Sequence, residues 1–365
     1  MSAKRPFRRN DGQPFLIAGP CSAESREQML AAVRPLKGVK SLSAIRAGVW
    51  KPRTRPDSFE GIGVQALPWL VEAGAELDLP VCTEVAKPEH VEACLKAGIT
   101  MLWIGARTTV NPFYVQEIAE AMRGTDVQVL VKNPIHPEIG LWMGALERFH
   151  KAGISELGAI HRGYFSLNAH PYRNAAGWEL AIALKEQWPE LSVLCDPSHI
   201  AGDRSYVAEL AQIGLELGLD GLMIEVHPDP KHALSDAEQQ MDPEQLIEAI
   251  DQLKMHRQVH QPEEIPERIR NERALIDGID ADLMKLFGKR LEHVANIARE
   301  KEKEGLAFFQ WSRWKEVLKT RGEHAEESGI DQRQVEELFR IIHKHSVGKQ
   351  VQEVRKKEGG KESGA

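Results

Sequence analysis

Residues 221–239 place acidic and imidazole side chains directly after an apolar run. The run has the character of a buried parallel strand, and it ends in Glu225, His227, Asp229 and, a short loop later, Asp236. Carboxylates and imidazoles grouped at the end of one strand can hold a metal ion or move a proton. A charged surface turn would show the same pattern, so this stretch alone leaves both interpretations open.

Basic side chains recur in the same way after earlier strand-like runs. The set consists of Arg46, Lys51, Arg53, Arg107, Lys132 and Arg162. Any one of them alone would ordinarily be a solvated or ion-paired surface residue. If all six meet at one edge of the fold, they indicate anionic substrates, because guanidinium and ammonium groups bind phosphate and carboxylate oxygens through charge-assisted hydrogen bonds.

A third set, Cys21, His199, Glu225 and Asp236, combines one thiol, one imidazole and two carboxylates. Such mixed ligands suit manganese, iron, cobalt or zinc better than magnesium. The alternative is that Cys21 and His199 are packed core residues and that the acids are counter-ions of the basic side chains.

Strand-like and helix-like segments alternate eight times over the first 255 residues, which predicts a (β/α)8 TIM barrel. A doubly wound open sheet is the alternative. The predicted strands are 15–18, 44–47, 81–84, 101–105, 127–132, 159–164, 193–196 and 222–226. The predicted helices are 25–36, 63–77, 88–97, 112–122, 140–152, 175–187, 204–217 and 243–255. In a barrel, the three residue sets would converge at the carboxyl ends of the strands.

Composition limits the class of protein. The chain has 365 residues and a formal net charge of −7, which argues against nonspecific binding to nucleic acid or to anionic membranes. It shows no signal-peptide pattern and no apolar run of membrane-spanning length, and its four cysteines lack the spacing of a disulfide framework. A cytoplasmic enzyme is the expectation.

The remaining residues predict a second domain that is wholly helical. Residues 256–265 are polar and proline-containing and indicate a linker, 266–354 carry helical patterns at 268–305, from 314 and at 333–354, and 355–365 are expected to be a disordered tail. The first helix is too long to bury its apolar stripe within three helices, so we expect an intertwined dimer.

Polar residues on these helices form a fourth set: Arg273, Arg290, Lys301, Arg313, Ser346 and Gln350. Each alone would be expected on a solvated helix face. Together they would bind a dianion.

The strings AGPCS, RAGVWKPRT, GART, VKNP, HRGY, CDPSH, IEVHPDP and SDAEQQ resemble, in content and order, 3-deoxy-D-arabino-heptulosonate 7-phosphate (DAHP) synthase. The resemblance implies condensation of phosphoenolpyruvate with erythrose 4-phosphate. It implies a metal site at Cys21, His199, Glu225 and Asp236, with Mn²⁺ foremost and Fe²⁺, Co²⁺ or Zn²⁺ as alternatives. It assigns phosphoenolpyruvate to Arg46, Lys51, Arg107, Lys132 and Arg162, and erythrose 4-phosphate to Lys51, Pro52, Arg53 and Thr54. Lys51 is a candidate proton donor. Relatives that use arabinose 5-phosphate carry a different sequence at residues 51–54.

Residues 273–350 resemble the all-helical chorismate mutases without a gap. The resemblance implies that the fourth set binds chorismate, that Lys301 and Gln350 donate to the breaking ether oxygen, and that Arg273 reaches the partner subunit's site. Gln310 and Trp314 depart from the acidic residues common in that family. The fusion of the two domains suggests that prephenate inhibits the barrel, and we expect a homodimer or tetramer. One alternative is that the helical domain is a catalytically weak sensor or dimerisation domain. Another is that the barrel uses a different sugar phosphate.

Overall fold

The structure, a computed structural model, describes residues 6–52, 57–167, 169–256 and 262–359. The chain divides into two compact units, Met1–Gln258 and Val259–Ala365. Among the described residues, no helix combines the length and apolar character needed to cross a membrane.

The first unit is a closed barrel of eight parallel strands, so the prediction of a TIM barrel is confirmed and the open sheet is excluded. The strands are β1 (Phe15–Gly19), β2 (Leu42–Arg46), β3 (Val81–Val85), β4 (Met101–Ile104), β5 (Gln128–Lys132), β6 (Glu156–His161), β7 (Ser192–Cys195) and β8 (Gly221–Glu225). Each strand pairs with the next along the chain, and β1 pairs with β8, Gly19 lying opposite Glu225, to close the ring.

Helices surround the barrel and begin at recognisable signals. They are α1 (Arg26–Val33), α2 (Leu67–Leu77), α3 (Pro88–Lys96), α4 (Ala106–Thr109), α5 (Pro112–Ala121), α6 (Ile139–Lys151), α7 (Trp178–Gln187), α8 (Pro197–Ala201), α9 (Val207–Glu216) and α10 (Pro243–Gln252). Ser25 caps α1 by accepting from the Gln28 amide, and Asp242 with Gln245 forms a capping box at α10. The short helices α4 and α8 follow β4 and β7 directly and therefore start on the carboxyl-end rim.

The side-chain alternation of the strands decides what points into the barrel. An apolar inner layer contains Ile17, Ala44, Cys82, Met101, Trp103, Leu130, Ile160, Leu194 and Met223, and Phe7 joins it and contacts Phe15 edge-on. Two positions further toward the carboxyl end on β2, β5 and β8, the same inward face carries Arg46, Lys132 and Glu225. A charged layer therefore rests directly on an apolar floor.

The described residues of the second unit form three α-helices: α11 (Glu267–Lys303), α12 (Trp311–Glu327) and α13 (Gln332–Gly359). The last helix packs against the other two. The second begins three residues earlier than predicted, because Gln310 is the extended residue that precedes it. The prediction of a disordered tail from 355 is wrong for 355–359, where α13 continues. Of the predicted linker, 257–261 lie outside the described residues, and Pro262–Glu264 forms a 3-10 turn.

Candidate functional site

A buried ion pair joins the ends of β2 and β8. Arg46 Nη2 lies 2.9 Å from Glu225 Oε1, and the two side chains are 1% and 0% exposed. The Arg46 guanidinium also lies 4.9 Å from the centre of the Trp103 ring, on the apolar floor. Burial alone would raise the pKa of Glu225, but His199 and Arg46 hold it below its ordinary value. Since burying such a pair contributes little stability, its position in the barrel mouth indicates a functional role.

A thiol and a second carboxylate complete a compact cluster around Glu225. Ligand atoms of Cys21, Glu225 and Asp236 all lie within 4.8 Å of one another. Cys21 Sγ donates to Asp236 Oδ2 at 3.3 Å, and Lys51 Nζ donates to Cys21 Sγ at 3.0 Å. Burial, followed by the Glu225 charge, raises the pKa of the Cys21 thiol to about 12. The thiol is therefore protonated at neutral pH, and it would have to lose this proton to bind a metal ion.

His199 lies beside this cluster on α8. Its Nδ1 is 3.0 Å from Asp196 Oδ1, and its Nε2 is 3.8 Å from Glu225 Oε1. Asp196 also accepts from the His199 amide as the N-cap of α8, so the helix start and the imidazole share one anchor. Burial lowers the pKa of His199, which favours the neutral ring that metals bind. Thiol, imidazole and two carboxylates thus form a donor set that fits a divalent transition ion.

Five of the six predicted basic residues, all but Arg53, lie in the described part of the chain and surround the cluster. Lys132 Nζ lies 2.6 Å from Asp196 Oδ2, and Arg162 is buried deeply enough that burial lowers its pKa to about 10. One pocket is lined by Lys51, Pro52, Glu84, Gly105, Ala106, Arg107, Lys132, Arg162, His199 and Asp236. Of the predicted substrate residues, Arg53 and Thr54 lie outside the described residues.

Glycine is required where β1 meets β2 beneath the site. Gly19 has a φ of +147°, and a Cβ at this position would lie 2.2 Å from the Arg46 carbonyl oxygen. The close approach of the two backbones sets the distance between Cys21, two residues further on, and the Arg46–Glu225 pair.

Two residues that the sequence did not single out connect the carboxylates of the cluster. Arg173 Nη1 donates to Asp236 Oδ1 and to Gln239 Oε1, both at 2.9 Å. Gln239 is 1% exposed, and its Nε2 donates to Glu225 Oε2 at 2.6 Å. Gln239 lies in the SDAEQQ string, which could have marked it, whereas Arg173 lies in the loop after β6 with no comparable signal. Asp196, in the CDPSH string, is a partner of Lys132 and His199 that the sequence likewise did not single out.

We expect Gln239→Leu to weaken the binding of Mn²⁺ or Co²⁺ by about 10-fold to 100-fold, because Glu225 loses the donor that orients it. Isothermal titration of the metal-free protein measures the change. Gln116→Leu, at an exposed position of α5, is the control and should bind the ion as the unmodified chain does. Equal affinity in the two variants would contradict the orienting role of Gln239.

The helical unit assembles part of the fourth set around α13. Arg290 Nη1 donates to Ser346 Oγ at 2.6 Å, and Ser346 and Gln350 are 3% and 7% exposed. Lys301 Nζ donates to the Phe308 carbonyl oxygen at 2.8 Å. Burial lowers the pKa of both Arg290 and Lys301, as expected for cations drawn into a partly enclosed site.

Two members of the set lie apart from this group. Arg313 is exposed and pairs with Glu316 on its own helix at 2.8 Å. Arg273 is exposed and lies 17 residues before Arg290 on α11, which corresponds to about 25 Å along a continuous helix. Arg273 therefore does not contribute to the Arg290 site of its own protomer.

The barrel with its charged mouth, followed by a separate helical unit, defines a two-domain enzyme of the (β/α)8 class. Residues 4–261 match the DAHP synthetase I family and residues 272–351 match chorismate mutase type II. The chain belongs to the DAHP synthetase I family and carries a C-terminal chorismate mutase domain. The resemblances drawn from the sequence are thereby confirmed.

The chain is also similar to individual proteins of two names. A phospho-2-dehydro-3-deoxyheptonate aldolase of Thermotoga maritima is 31% identical over 246 residues, which cover 67% of this chain and 70% of the relative. A 2-dehydro-3-deoxyphosphooctonate aldolase of Rhodopseudomonas palustris is 30% identical over 241 residues, covering 60% and 80%. The crystal structure of the Thermotoga maritima DAHP synthase has a TM-score of 0.60 at 29% identity, covering 66% of this chain and 68% of that chain.

Proposed function

We propose that the barrel condenses phosphoenolpyruvate with erythrose 4-phosphate to give DAHP and phosphate. The observation that carries the proposal is the cluster of Cys21, Glu225 and Asp236, with His199 beside it, next to the cationic pocket. These four residues would hold a divalent ion, Mn²⁺ foremost, which would supply Lewis-acid polarisation of a carbonyl oxygen when bound. The surrounding cations bind the phosphate and carboxylate oxygens of two anionic substrates and hold them in a reactive orientation.

Lys51 is the residue best placed to deliver a proton. Its Nζ lies 3.0 Å from Cys21 Sγ, in the pocket that also contains Lys132 and Arg162. Burial alone would lower the pKa of Lys51, but Cys21 and Glu225 hold it above its ordinary value. The side chain is therefore charged at neutral pH and able to donate.

A substrate panel tests the barrel assignment. Phosphoenolpyruvate consumption is followed with erythrose 4-phosphate or with arabinose 5-phosphate, before and after metal stripping and Mn²⁺ addition. We expect consumption only with erythrose 4-phosphate, stopping on stripping and returning with Mn²⁺. Consumption with arabinose 5-phosphate would favour instead the chemistry named for the octonate aldolase relatives.

We further propose that the helical domain, residues 266–354, rearranges chorismate to prephenate. Lys301 and Gln350 donate hydrogen bonds to the ether oxygen on which negative charge develops, while Arg290, Arg313 and the partner's Arg273 hold the two carboxylates. Support comes from the half-buried Arg290 bound to Ser346 and from the burial of Gln350 on the same helix. Conversion of chorismate to prephenate is the test, and its absence would favour the sensor alternative.

A homodimer would complete this site. The first half of α11 exposes apolar side chains that nothing in its own unit covers; they include Ile269, Ile276, Ile279, Leu283 and Leu286. Their spacing places them on one face of the helix, and Arg290 continues that face. A second copy laid along this stripe would cover it and bring its own Arg273 toward Arg290.

We expect Leu286→Glu to shift the protein toward monomers and to lower chorismate turnover at the same time, because the substitution places a charge within the stripe. Lys285→Glu is the matched control: by helical spacing it lies on the opposite face, where it forms an exposed pair with Asp282. Sedimentation velocity measures the mass. A Leu286→Glu protein that keeps the mass of the unmodified chain would place the stripe outside any subunit interface.

Regulation follows from the joining of the two domains. We propose that prephenate bound in the helical domain inhibits the barrel, and that the linker 256–265 allows the two domains to communicate. A cytoplasmic location is likewise proposed from the class of reaction.

A further inference from the structure

His343 on α13 occupies an unusual position between two aromatic side chains. Its ring stacks on Trp314, with centroids 4.4 Å apart and an interplanar angle of 25°, and meets Phe309 edge-on at 5.4 Å. The Arg340 guanidinium lies 5.9 Å from the centre of the Trp314 ring. Within the stack, His343 Nε2 is buried and has no hydrogen-bond partner among the described residues.

The spacing of α13 places His343 on the helix face that carries Ser346 and Gln350, two residues of the proposed mutase site. Positions 343, 346 and 350 are three and seven residues apart and share one helix face, so His343 lies one turn from Ser346 and two turns from Gln350. Gln350 Oε1 is also buried and has no partner in the described part of the chain. Two buried polar atoms without partners on one face are costly unless a ligand or water binds them.

The electrostatic surroundings of His343 determine the charge of its imidazole. Burial, followed by the charges of Arg290 and Lys301, lowers the pKa of His343. The imidazole is therefore neutral at neutral pH and contributes a hydrogen bond, not a third cation. Chorismate already has cations for its two carboxylates and donors for its ether oxygen, which leaves its ring hydroxyl without an assigned partner.

The sequence shows why a histidine would take this task. The chorismate mutases that this domain resembles commonly carry an acidic residue in contact with the substrate hydroxyl at the position of Gln310, which is exposed in this chain, and a glutamate at the position of Trp314. Here Trp314 provides no hydrogen-bond acceptor and instead stacks on His343. We propose that His343 Nε2 binds the ring hydroxyl of chorismate and that Trp314 fixes the imidazole plane for this contact.

The inference rests on the proposed mutase activity and is tested by separating KM from kcat. We expect His343→Leu, which keeps apolar bulk against Trp314, to raise the KM for chorismate about tenfold or more with little change in kcat. A hydroxyl contact is made in both ground and transition states, so its loss changes uniform binding. His343→Gln, which restores a hydrogen-bonding side chain, should recover part of the loss. His345→Ala, an exposed histidine two residues away, is the matched control and should behave as the unmodified protein.

A direct readout comes from ¹⁵N-labelled histidine. In NMR spectra, the ¹⁵N resonances of the His343 ring should shift on addition of prephenate, and the ring resonances of His345 should not. If the unmodified protein converts chorismate but His343→Leu keeps the same KM, the inference is overturned and the mutase assignment stands. If the unmodified protein converts no chorismate, the assignment itself fails, and the inference fails with it.

Discussion

Cys21→Ala is expected to reduce phosphoenolpyruvate consumption at least about 100-fold, because it removes the single soft donor from a set of four candidate ligands. Chorismate turnover should be unchanged, since Cys21 lies in the other domain. The same variant should bind Co²⁺ without the sulfur-to-metal absorption band that the unmodified protein shows. Assays of both reactions on one preparation, with a cobalt titration, measure these effects together.

Cys94→Ala is the matched control for this experiment. Cys94 is as buried as Cys21, and burial raises the pKa of its thiol to about 12 as well, but it lies on α3 within the core between strands and helices. Its replacement should leave the metal titration and both reactions close to those of the unmodified chain. A Cys21→Ala protein that kept full metal-dependent activity would remove the thiol from the ligand set and leave an imidazole and two carboxylates.

Arg290→Ala is expected to have the converse effect. Chorismate turnover should fall about 100-fold or more, because the variant removes a partly buried cation that holds a substrate carboxylate in the reactive orientation and leaves Ser346 without its donor. Phosphoenolpyruvate consumption should persist. Its inhibition by prephenate should disappear, because the proposed regulatory ligand would bind at this same group. A coupled assay of both reactions, with and without prephenate, measures all three.

Arg333→Ala, an exposed position near the start of α13, serves as the control and should keep turnover and inhibition. If Arg290→Ala leaves chorismate turnover as it was, Arg290 has no part in the reaction. If instead the unmodified chain shows no turnover but Arg290→Ala abolishes inhibition, the helical domain is a sensor.

Most of the barrel could be predicted because its strands are short apolar runs between helical patterns. The eight predicted strands all have counterparts, and the largest displacement is at β6, expected at 159–164 but found at Glu156–His161. Its first residues include polar Glu156 and small Gly158, which interrupt the apolar run, and the fold accepts them because Gly158 makes room for Phe7. Similarly, α7 starts at Trp178 and not at 175, since Gly177 adopts a left-handed conformation. Local sequence patterns could not reveal the contact between Gly158 and Phe7 or the left-handed conformation of Gly177.

The candidate ligands could be predicted from sequence because Cys21, His199 and Glu225 lie at or just after the end of a strand and Asp236 follows in the loop after β8, whereas their supporting partners could not. Asp196, Arg173 and Gln239 act through contacts with residues up to 66 positions away in the chain. In the helical domain the spacing of Ser346 and Gln350 revealed a common face, but the stacking of His343 on Trp314 depends on how α12 packs against α13. Packing of that kind is decided by the whole unit and leaves no periodic signal.

The closing contact between β1 and β8 has a consequence for how the site comes into being. Cys21 follows the first strand, Glu225 ends the last strand, and Asp236 follows it, so the cluster spans the seam where the two ends of the barrel sequence meet. These groups come together only once the ring has closed. An ion bound there would link residues from the first and last strands, and its binding free energy would add to the stability of the closed barrel.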